Sequence, residues 1–200
     1  VLSVGSEFVM DAMKKPLAMG ADRLLLVDDI GLDKLDSAAT VKVLAAAIEK
    51  DGPFDLILGG RQASDWDQGH VTLGLAEILG LPLVSLVQKL ELNDDSISLQ
   101  RVITDGYQVV SAPIPSVLTI TNELGEPRYP NLRGIMQASR KKPDVFTLAD
   151  LGLSSEDLTP KLELKKLYIP ESNQQVELIE GEDEADSGRK LALRLREEKL

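Results

Sequence analysis

The stretch "GGRQASDWDQGHV", residues 59–71, concentrates residue types that bind anions. It follows an apolar run, residues 55–60, that is typical of a strand, and it leads into an amphipathic segment, residues 68–80, that is typical of a helix. Paired glycines let a backbone approach a ligand closely. A helix N-terminus offers free N–H groups and the positive end of a dipole. Phosphate, including that of a nucleotide, is the ligand that this pattern suits.

Side chains within this loop have different predicted roles. Arg61, Gln62 and Ser64 can donate to phosphate or ribose oxygens. Ionised carboxylates repel phosphate, so we assign Asp67 to capping the following helix and Asp65 to orienting the loop or binding a hydroxyl. The stretch has neither a Walker A pattern nor a complete G-x-G-x-x-G pattern. A solvent-exposed connection that binds nothing therefore remains an equal alternative.

Two rare residues lie in the same stretch. Trp66, the only tryptophan, either stacks on an aromatic ring or plugs the base of the loop. His70, the only histidine, is more typical of a residue on a helix face than of a catalytic base. A chain with one histidine and no cysteine has no disulfide, no thiolate metal site, no cysteine nucleophile and no His-rich metal site.

A second notable segment is "NELGEPRYPNLRGIM", residues 122–136. Two prolines restrict the backbone on either side of Arg128 and Tyr129, and Asn131 is a plausible cap for a helix that follows. The apolar residues of that helix recur at helical spacing, which suits either a core face or an exposed docking knob: Leu132, Ile135 and Met136. Basic residues at 133 and 140–142 either end a solvated helix or steer an acidic partner.

The elements that position these segments alternate between strand and helix. Apolar runs at 1–6, 23–27, 55–60 and 81–87 predict strands, and helical periodicity predicts helices at 7–20, 37–50 and 68–80. Asp36 or Ser37 is the expected cap of the second helix. Strands that alternate with helices favour an α/β fold with a mostly parallel sheet.

The pattern changes at about residue 88. Alternating residues up to 115, with turn signals at "NDD" and "DG", predict antiparallel hairpins, and residues 116–121 return to a buried strand. Beyond about residue 144 regular alternation is lost, apart from a closing amphipathic helix at 189–200. So long a tail with little core-forming sequence is expected to pack on a partner.

Overall composition narrows the classes of partner. The net charge of −11 argues against general binding of nucleic acid or anionic membrane, because phosphates would be repelled. No apolar run reaches the length of a membrane helix and no signal peptide is evident, so we expect no stable membrane insertion.

Two blocks together resemble the beta subunit of electron-transfer flavoproteins. "NE..EPRYPNLRGIM.A..KKP" resembles that family's signature, and "GGRQASDWDQGHV" is similar to its nucleotide loop. "MGADRLLLVDD" and "ATVKVLAAAIEK…FDLILGG" also match, in the same order. The resemblance implies a Rossmann-like fold of the adenine-nucleotide alpha-hydrolase type, with helices flanking the sheet, an antiparallel hairpin element and an extended C-terminal arm. It divides the chain into a nucleotide-binding domain, 1–145, and an arm, 146–200, that packs on a partner subunit.

The resemblance also implies a function. The family's beta subunit pairs with an alpha subunit, shares an FAD with it, and binds AMP or a second FAD. It is an electron carrier and not an enzyme in its own right, exchanging electrons with flavoprotein dehydrogenases such as acyl-CoA dehydrogenases. A bacterial or archaeal cytoplasm is the favoured compartment, with the mitochondrial matrix as the other.

The resemblance implies roles for particular residues. Leu132 would anchor dehydrogenase docking within the segment Tyr129–Met136. The residues expected to bind the nucleotide are Ser6, Gly60, Arg61, Gln62, Ala63, Ser64, Asp65, Asp67, Gln68, Gly69, His70 and Val71.

Some positions depart from the family pattern. The family's first strand is expected to precede Val1, His70 and Thr72 replace a glutamine and a glycine, and Trp66 stands where a small residue is usual. We therefore leave the second nucleotide undecided between AMP and FAD. Two alternatives of other classes are a regulatory module of the universal-stress-protein type and a metal-dependent nucleotide hydrolase acting through Asp65 and Asp67.

Overall fold

The computed structural model describes residues 1–171 and 176–198, and these residues form an α/β fold. The strands are Leu2–Gly5 (β1), Leu25–Asp28 (β2), Leu56–Gly60 (β3), Leu83–Leu92 (β4), Ser96–Ile103 (β5), Gly106–Pro113 (β6), Ser116–Ile120 (β7) and Asp144–Phe146 (β8). The α-helices are Met10–Met13 (α1), Lys15–Ala18 (α2), Ser37–Asp51 (α3), His70–Leu79 (α4), Leu132–Arg140 (α5) and Glu184–Glu197 (α6). The chain divides into two compact units, Val1–Glu163 and Leu164–Leu200.

The strands of the first unit form two sheets. One is parallel, in the order β1-β2-β8, and the other is mixed, in the order β3-β7-β4-β5-β6. In the mixed sheet β3 and β7 run parallel to β4, and β5 and β6 add antiparallel hairpins with turns at the predicted "NDD" and "DG" positions. The α/β class and the hairpin element are confirmed, whereas the predicted single sheet is divided in two.

Strand β4 belongs to both parts of the mixed sheet. We predicted a parallel strand at 81–87 and a separate antiparallel element from 88, but one strand pairs parallel with β7 and then antiparallel with β5. The register shifts around Leu86, which has a φ of 60° and donates its N–H to the Thr119 hydroxyl at 2.7 Å. This bulge turns the strand without ending it.

Helix α3 lies at the centre of the first unit. The carboxylate of Asp36 caps it by accepting the N–H of Ala39 at 2.8 Å, as predicted. One side of the helix, with Val43 and Ala47, packs in the same cluster as Val27 of β2. The other side packs against α4, where Gly74 lies close to Val41. The small side chains of α3 thus hold α4, and the loop before it, close to the core.

The predicted helix over residues 7–20 is wrong in one respect, because it is two short helices. Pro16 lies in the first turn of α2, and a proline has no N–H with which to continue the hydrogen-bond ladder of α1. Gly20, with a φ of 111°, follows α2 as the predicted stop. Helix α2 packs in one cluster with Leu24 and Leu26 from the β2 region and Ala138 of α5.

The first unit extends beyond the domain boundary predicted at residue 145. The short strand β8, which the sequence did not reveal, pairs with β2. Leu148 and Leu158 are buried in the cluster under α3. The N–H groups of Lys161 and Leu162 then donate to Asp36 at 2.5 and 3.0 Å, so this compact unit ends against the start of α3.

The second unit consists of an extended segment and helix α6. Asp183 caps the helix by accepting the N–H of Asp186 at 2.7 Å, and Arg194 pairs with Glu177 at 3.0 Å. The helix begins before the predicted start at residue 189, and the final two residues of that prediction lie outside the described part. Several apolar side chains of the extended segment are largely exposed, among them Leu167, Ile169 and Leu178.

An apolar groove of about 550 Å³ lies between the edge strands β1 and β3. Leu2 and Leu58 line it from the two strands, and Ile48 of α3 and Phe54 lie beside them. Among the described residues, no helix has the length and apolar character needed to cross a bilayer.

Candidate functional site

The polar loop of residues 61–69 leaves the sheet at the carboxyl end of β3. Gly60 is paired in parallel register with Ile120 of β7, so Arg61 and Thr121 leave neighbouring strands side by side. The loop before α4 and the loop before α5 therefore begin at the same edge of the mixed sheet. Ligands of open α/β sheets bind at such carboxyl ends.

The loop is organised by its own side chains. The amide of Gln62 donates to Asp67 Oδ1 at 2.6 Å, and the N–H of Asp67 donates to the Ala63 carbonyl at 3.0 Å. Asp65 accepts the N–H of Trp66 at 2.9 Å. Asp65 thus orients the loop, which is one of its two predicted roles.

The predicted capping role of Asp67 is wrong. Helix α4 has Gly69 at its cap position, and no side chain caps it. Asp67 instead has a φ of 53°, and its carboxylate is bonded to Gln62. A helix leaves its first N–H groups without intrahelical partners, so those of α4 are available to an anion.

The loop that leads to this uncapped helix end carries polar side chains. Arg61 and Ser64 are exposed, and Gln68 is partly buried, accepting the hydroxyl of Ser37 at 2.6 Å. That bond ties the loop to the first turn of α3. Backbone N–H groups at a helix start, a guanidinium and a hydroxyl are groups that bind phosphate, so phosphate stays the ligand type predicted for the loop.

The two rare residues of the loop are both exposed. Trp66 is 52% exposed, so it does not plug the base of the loop. His70 is the first residue of α4 and lines a groove with Asp36 and Ser37. The prediction that His70 lies on a helix surface is confirmed.

Ser6 lies apart from the loop. It follows β1 and lines a cavity of about 690 Å³ together with Glu7, Asp28, Asp29 and Thr147. None of residues 60–71 lines that cavity. Ser6 thus lines a cavity that residues 60–71 do not line, and its place in the nucleotide site stays a prediction.

Sequence reasoning missed the acidic residues of this cavity. Glu7 has a φ of 56°, and Asp29 accepts the N–H groups of Ile30 and Leu148 at 2.7 and 3.0 Å. The available signal was their position at the carboxyl ends of β1 and β2. Asp29 serves the fold here, since it links the loop after β2 to the segment after β8.

The segment before α5 presents its apolar residues to solvent. Asn131 caps α5 by accepting the N–H of Gly134 at 2.8 Å, as predicted. The four residues expected to dock are 95%, 74%, 49% and 51% exposed, in the order Tyr129, Leu132, Ile135 and Met136. The core alternative for these residues is therefore wrong, and Ala138 is the residue through which α5 reaches the core.

A charge link joins the two loops. The pKa of Glu123 is lowered first by the neighbouring Thr121 hydroxyl, then by a backbone N–H, and also by the positive charge of Arg61. Glu123 lies in the loop before α5 and Arg61 in the loop before α4. The positive charge of Arg61 in one loop thus acts on the carboxyl group of Glu123 in the other, at the carboxyl ends of β3 and β7.

A metal-dependent site finds no support in residues 1–171 and 176–198. No group of three or more histidine, cysteine or acidic side chains there is arranged to hold a metal ion. Asp65 and Asp67, the residues of the hydrolase alternative, both accept hydrogen bonds from within their own loop.

Comparisons with known proteins agree with this geometry. Residues 1–151 match the family model described as the electron transfer flavoprotein domain. The chain is 35% identical over 198 residues to the electron transfer flavoprotein subunit beta of Bacillus subtilis (strain 168), covering 98% of this chain and 76% of that protein. It is 38% identical over 159 residues to the corresponding subunit of Thermoanaerobacterium thermosaccharolyticum, covering 79% of this chain and 61% of that protein.

A third relative carries a different name. The chain is 36% identical over 156 residues to the caffeyl-CoA reductase-Etf complex subunit CarD of Acetobacterium woodii, covering 78% of this chain and 60% of that protein. The chain thus spans less than two thirds of the second and third of these relatives. The family match covers the loop before α4 and the segment before α5 alike. Two of these three relatives are named beta subunits, and the chain belongs to the electron transfer flavoprotein family.

Proposed function

We propose that this chain works with an alpha subunit as an electron carrier between flavoprotein dehydrogenases and an acceptor. The observation that carries the proposal is the parallel pairing of Gly60 with Ile120, after which the loop proposed to bind an anion and the segment that leads to α5 leave the same end of the sheet. A carrier of this kind needs both a cofactor site and a surface for transient partners. Family membership favours this function over a universal-stress-type regulatory module.

Residues of the loop before α4 and of its first turn would bind the nucleotide. The first-turn N–H groups of α4, with Arg61 and Ser64, would hold the phosphate of AMP or of a second FAD. Trp66, half-exposed in the same loop, is available to stack on a ring of that nucleotide or of the partner subunit. When bound, FAD supplies the redox chemistry, and the protein supplies binding and orientation.

The alpha subunit is the proposed stable partner. Residues 164–171 and 176–178 carry apolar side chains that are exposed in their own unit, for example Leu167 at 78% and Ile169 at 93%. Large exposed apolar groups in an extended segment are typical of a surface that another chain covers. We therefore assign this arm to the alpha subunit and the α5 surface to dehydrogenases.

Coexpression with an alpha subunit tests the proposal. We expect a stable complex with yellow flavin absorbance, from which FAD and a second nucleotide can be extracted and separated as AMP or FAD by mass. A beta chain that stays monomeric beside a folded alpha subunit would contradict the proposed partnership. A complex that contains flavin but no second nucleotide would contradict the role given to the α4 loop alone.

A further inference from the structure

Helix α5 approaches α2 at backbone distance. A Cβ atom at position 134 would lie 2.5 Å from the carbonyl oxygen of Ala18, the last residue of α2. Real side-chain carbons do not come this close to an oxygen, and ordinary contacts begin about 1 Å further out. A glycine at position 134 is therefore needed for α5 to approach the carbonyl of Ala18 this closely.

Polar contacts fix the same pair of helices at both ends. Lys14, which precedes α2, donates from Nζ to the carbonyl of Ser139 near the end of α5, at 3.0 Å. Lys141, which follows α5, donates to the carbonyls of Ala21 and Asp22 after α2, at 3.2 and 2.7 Å. Lys14 thus bonds a carbonyl that the end of α5 leaves free, and Lys141 bonds carbonyls of the loop that follows α2.

The apolar part of this contact is small. Ala138 is the buried residue of α5, while Leu132, Ile135 and Met136 are about half-exposed or more. Burial of a single methyl group adds little to the free energy of packing. The placement of α5 therefore depends on the close approach at Gly134 and on the two lysines more than on a large apolar face.

Leu132 moves with Gly134 because both belong to the first turn of α5. The N–H of Gly134 donates to the side chain of Asn131 at 2.8 Å, and Leu132 lies between these two residues in the chain. A side chain at 134 would push this turn away from Ala18, and the cap and Leu132 would move together.

We propose that Gly134 is a positioning residue, which sets where Leu132 stands for docking of the dehydrogenase. The proposal deepens the proposed function and rests on it. It assigns Gly134 no contact with the partner or the cofactor.

Spin labels measure the position directly. The chain has no cysteine, so Leu132→Cys and Glu49→Cys give two unique labels, the second on the exposed side of α3. In the alpha–beta complex we expect Gly134→Ala to change or broaden the 132–49 distance by about 1 Å, and Gly134→Val to change it more. Gln137→Ala, an exposed position of the same helix, should leave the distance unchanged.

Kinetics then test the consequence without labels. Gly134→Ala should raise KM for the reduced dehydrogenase several-fold while kcat and flavin content stay as in the parent complex. Lys14→Met is a second variant for the case that Gly134→Val does not fold, because it removes the bond to Ser139 without adding bulk. It should broaden the distribution of the distance between labels at positions 132 and 49. An unchanged distance in Gly134→Ala and Lys14→Met would overturn the proposal.

An altered distance with unchanged KM would also overturn it. Leu132→Ala distinguishes a failure of the Gly134 proposal from a failure of the docking function. If Leu132→Ala raises KM for the dehydrogenase, only the role of Gly134 is wrong. If it leaves KM unchanged, the docking function itself is wrong.

Discussion

The carboxylate of Asp36 accepts the N–H of Leu162 at 3.0 Å, although the two residues are 126 positions apart in the chain. The same carboxylate accepts from Lys161 at 2.5 Å and caps α3 through Ala39 at 2.8 Å. The pKa of Asp36 is lowered, first by the N–H of Ala39 and then by those of Lys161 and Leu162. One side chain therefore starts the central helix and fastens the end of the first unit.

Replacement of Asp36 should destabilise the first unit. Asp36→Ala removes the cap of α3 and leaves the N–H groups of residues 161 and 162 unpaired, so we expect the free energy of unfolding to fall by about 1–2 kcal/mol. Urea denaturation of the alpha–beta complex measures this loss. Glu49→Ala, an exposed change on the same helix, is the control, and equal effects of the two changes would contradict the prediction.

The Asp36 contact should also depend on pH. Because the folded pKa is below the ordinary value of 3.8, the stabilisation is complete above about pH 4 and is lost as the pH falls through the folded pKa. Amide exchange at Lys161 and Leu162 should therefore accelerate at acid pH relative to other amides. Asp36→Asn cannot titrate, so the same acceleration in that variant would show that another group is responsible.

Gly59 is predicted to tolerate no side chain. A Cβ atom at position 59 would overlap the side chain of Thr72, a residue of α4 that packs on the end of β3. Gly59→Ala should lower the free energy of unfolding by about 1–3 kcal/mol, as overpacking does. Adding Thr72→Ala should restore part of the loss, and thermal unfolding of both variants tests this. No recovery in the double variant would mean that the strain lies elsewhere.

Arg61 is expected to contribute to nucleotide retention. Arg61→Gln removes a guanidinium from the loop that leads to the uncapped α4, and a hydrogen bond to a charged group is worth enough to lower affinity about tenfold. The measurement is the amount of nucleotide that copurifies with the complex, quantified by mass. Arg140→Gln, at the end of α5, is the matched control. Equal retention in both variants would remove Arg61 from the site.

Leu132 should dominate dehydrogenase docking. It is 74% exposed before any partner binds, and anchors of this kind contribute about 2 kcal/mol or more to an interface. Leu132→Ala should therefore raise KM for the dehydrogenase roughly tenfold or more without loss of flavin. Leu92→Ala changes a leucine on β4 that is 63% exposed and should have no such effect. Loss of flavin in Leu132→Ala would instead mark the helix as structural.

Long periodic segments were predictable from sequence. Helix α3, its Asp36 cap, helix α4 ending before Gly80, and the β5–β6 hairpin all follow from local pattern and turn chemistry. The resemblance predicts docking by residues 129–136, and the exposure of Leu132 removes the core alternative for that residue.

Features that depend on contacts between distant residues were not predictable. Strand β8 has three residues and forms because β2 offers an open edge, which no local pattern reveals. The continuity of β4 depends on the Leu86–Thr119 bond, and the failure of Asp67 as a cap depends on its capture by Gln62. For β8 and β4 a partner far along the chain decided the conformation, whereas the partner of Asp67 lies five residues away in the same loop.

The groove between β1 and β3 has a consequence for handling the protein. Each of these strands pairs on one side only, and the side chains between them are apolar. Open edges with free N–H and carbonyl groups are templates for strand addition between molecules. We therefore expect the isolated chain to self-associate through these edges at high concentration. The weight-average mass from light scattering should rise with concentration, and a chain that covers the edges should abolish this rise.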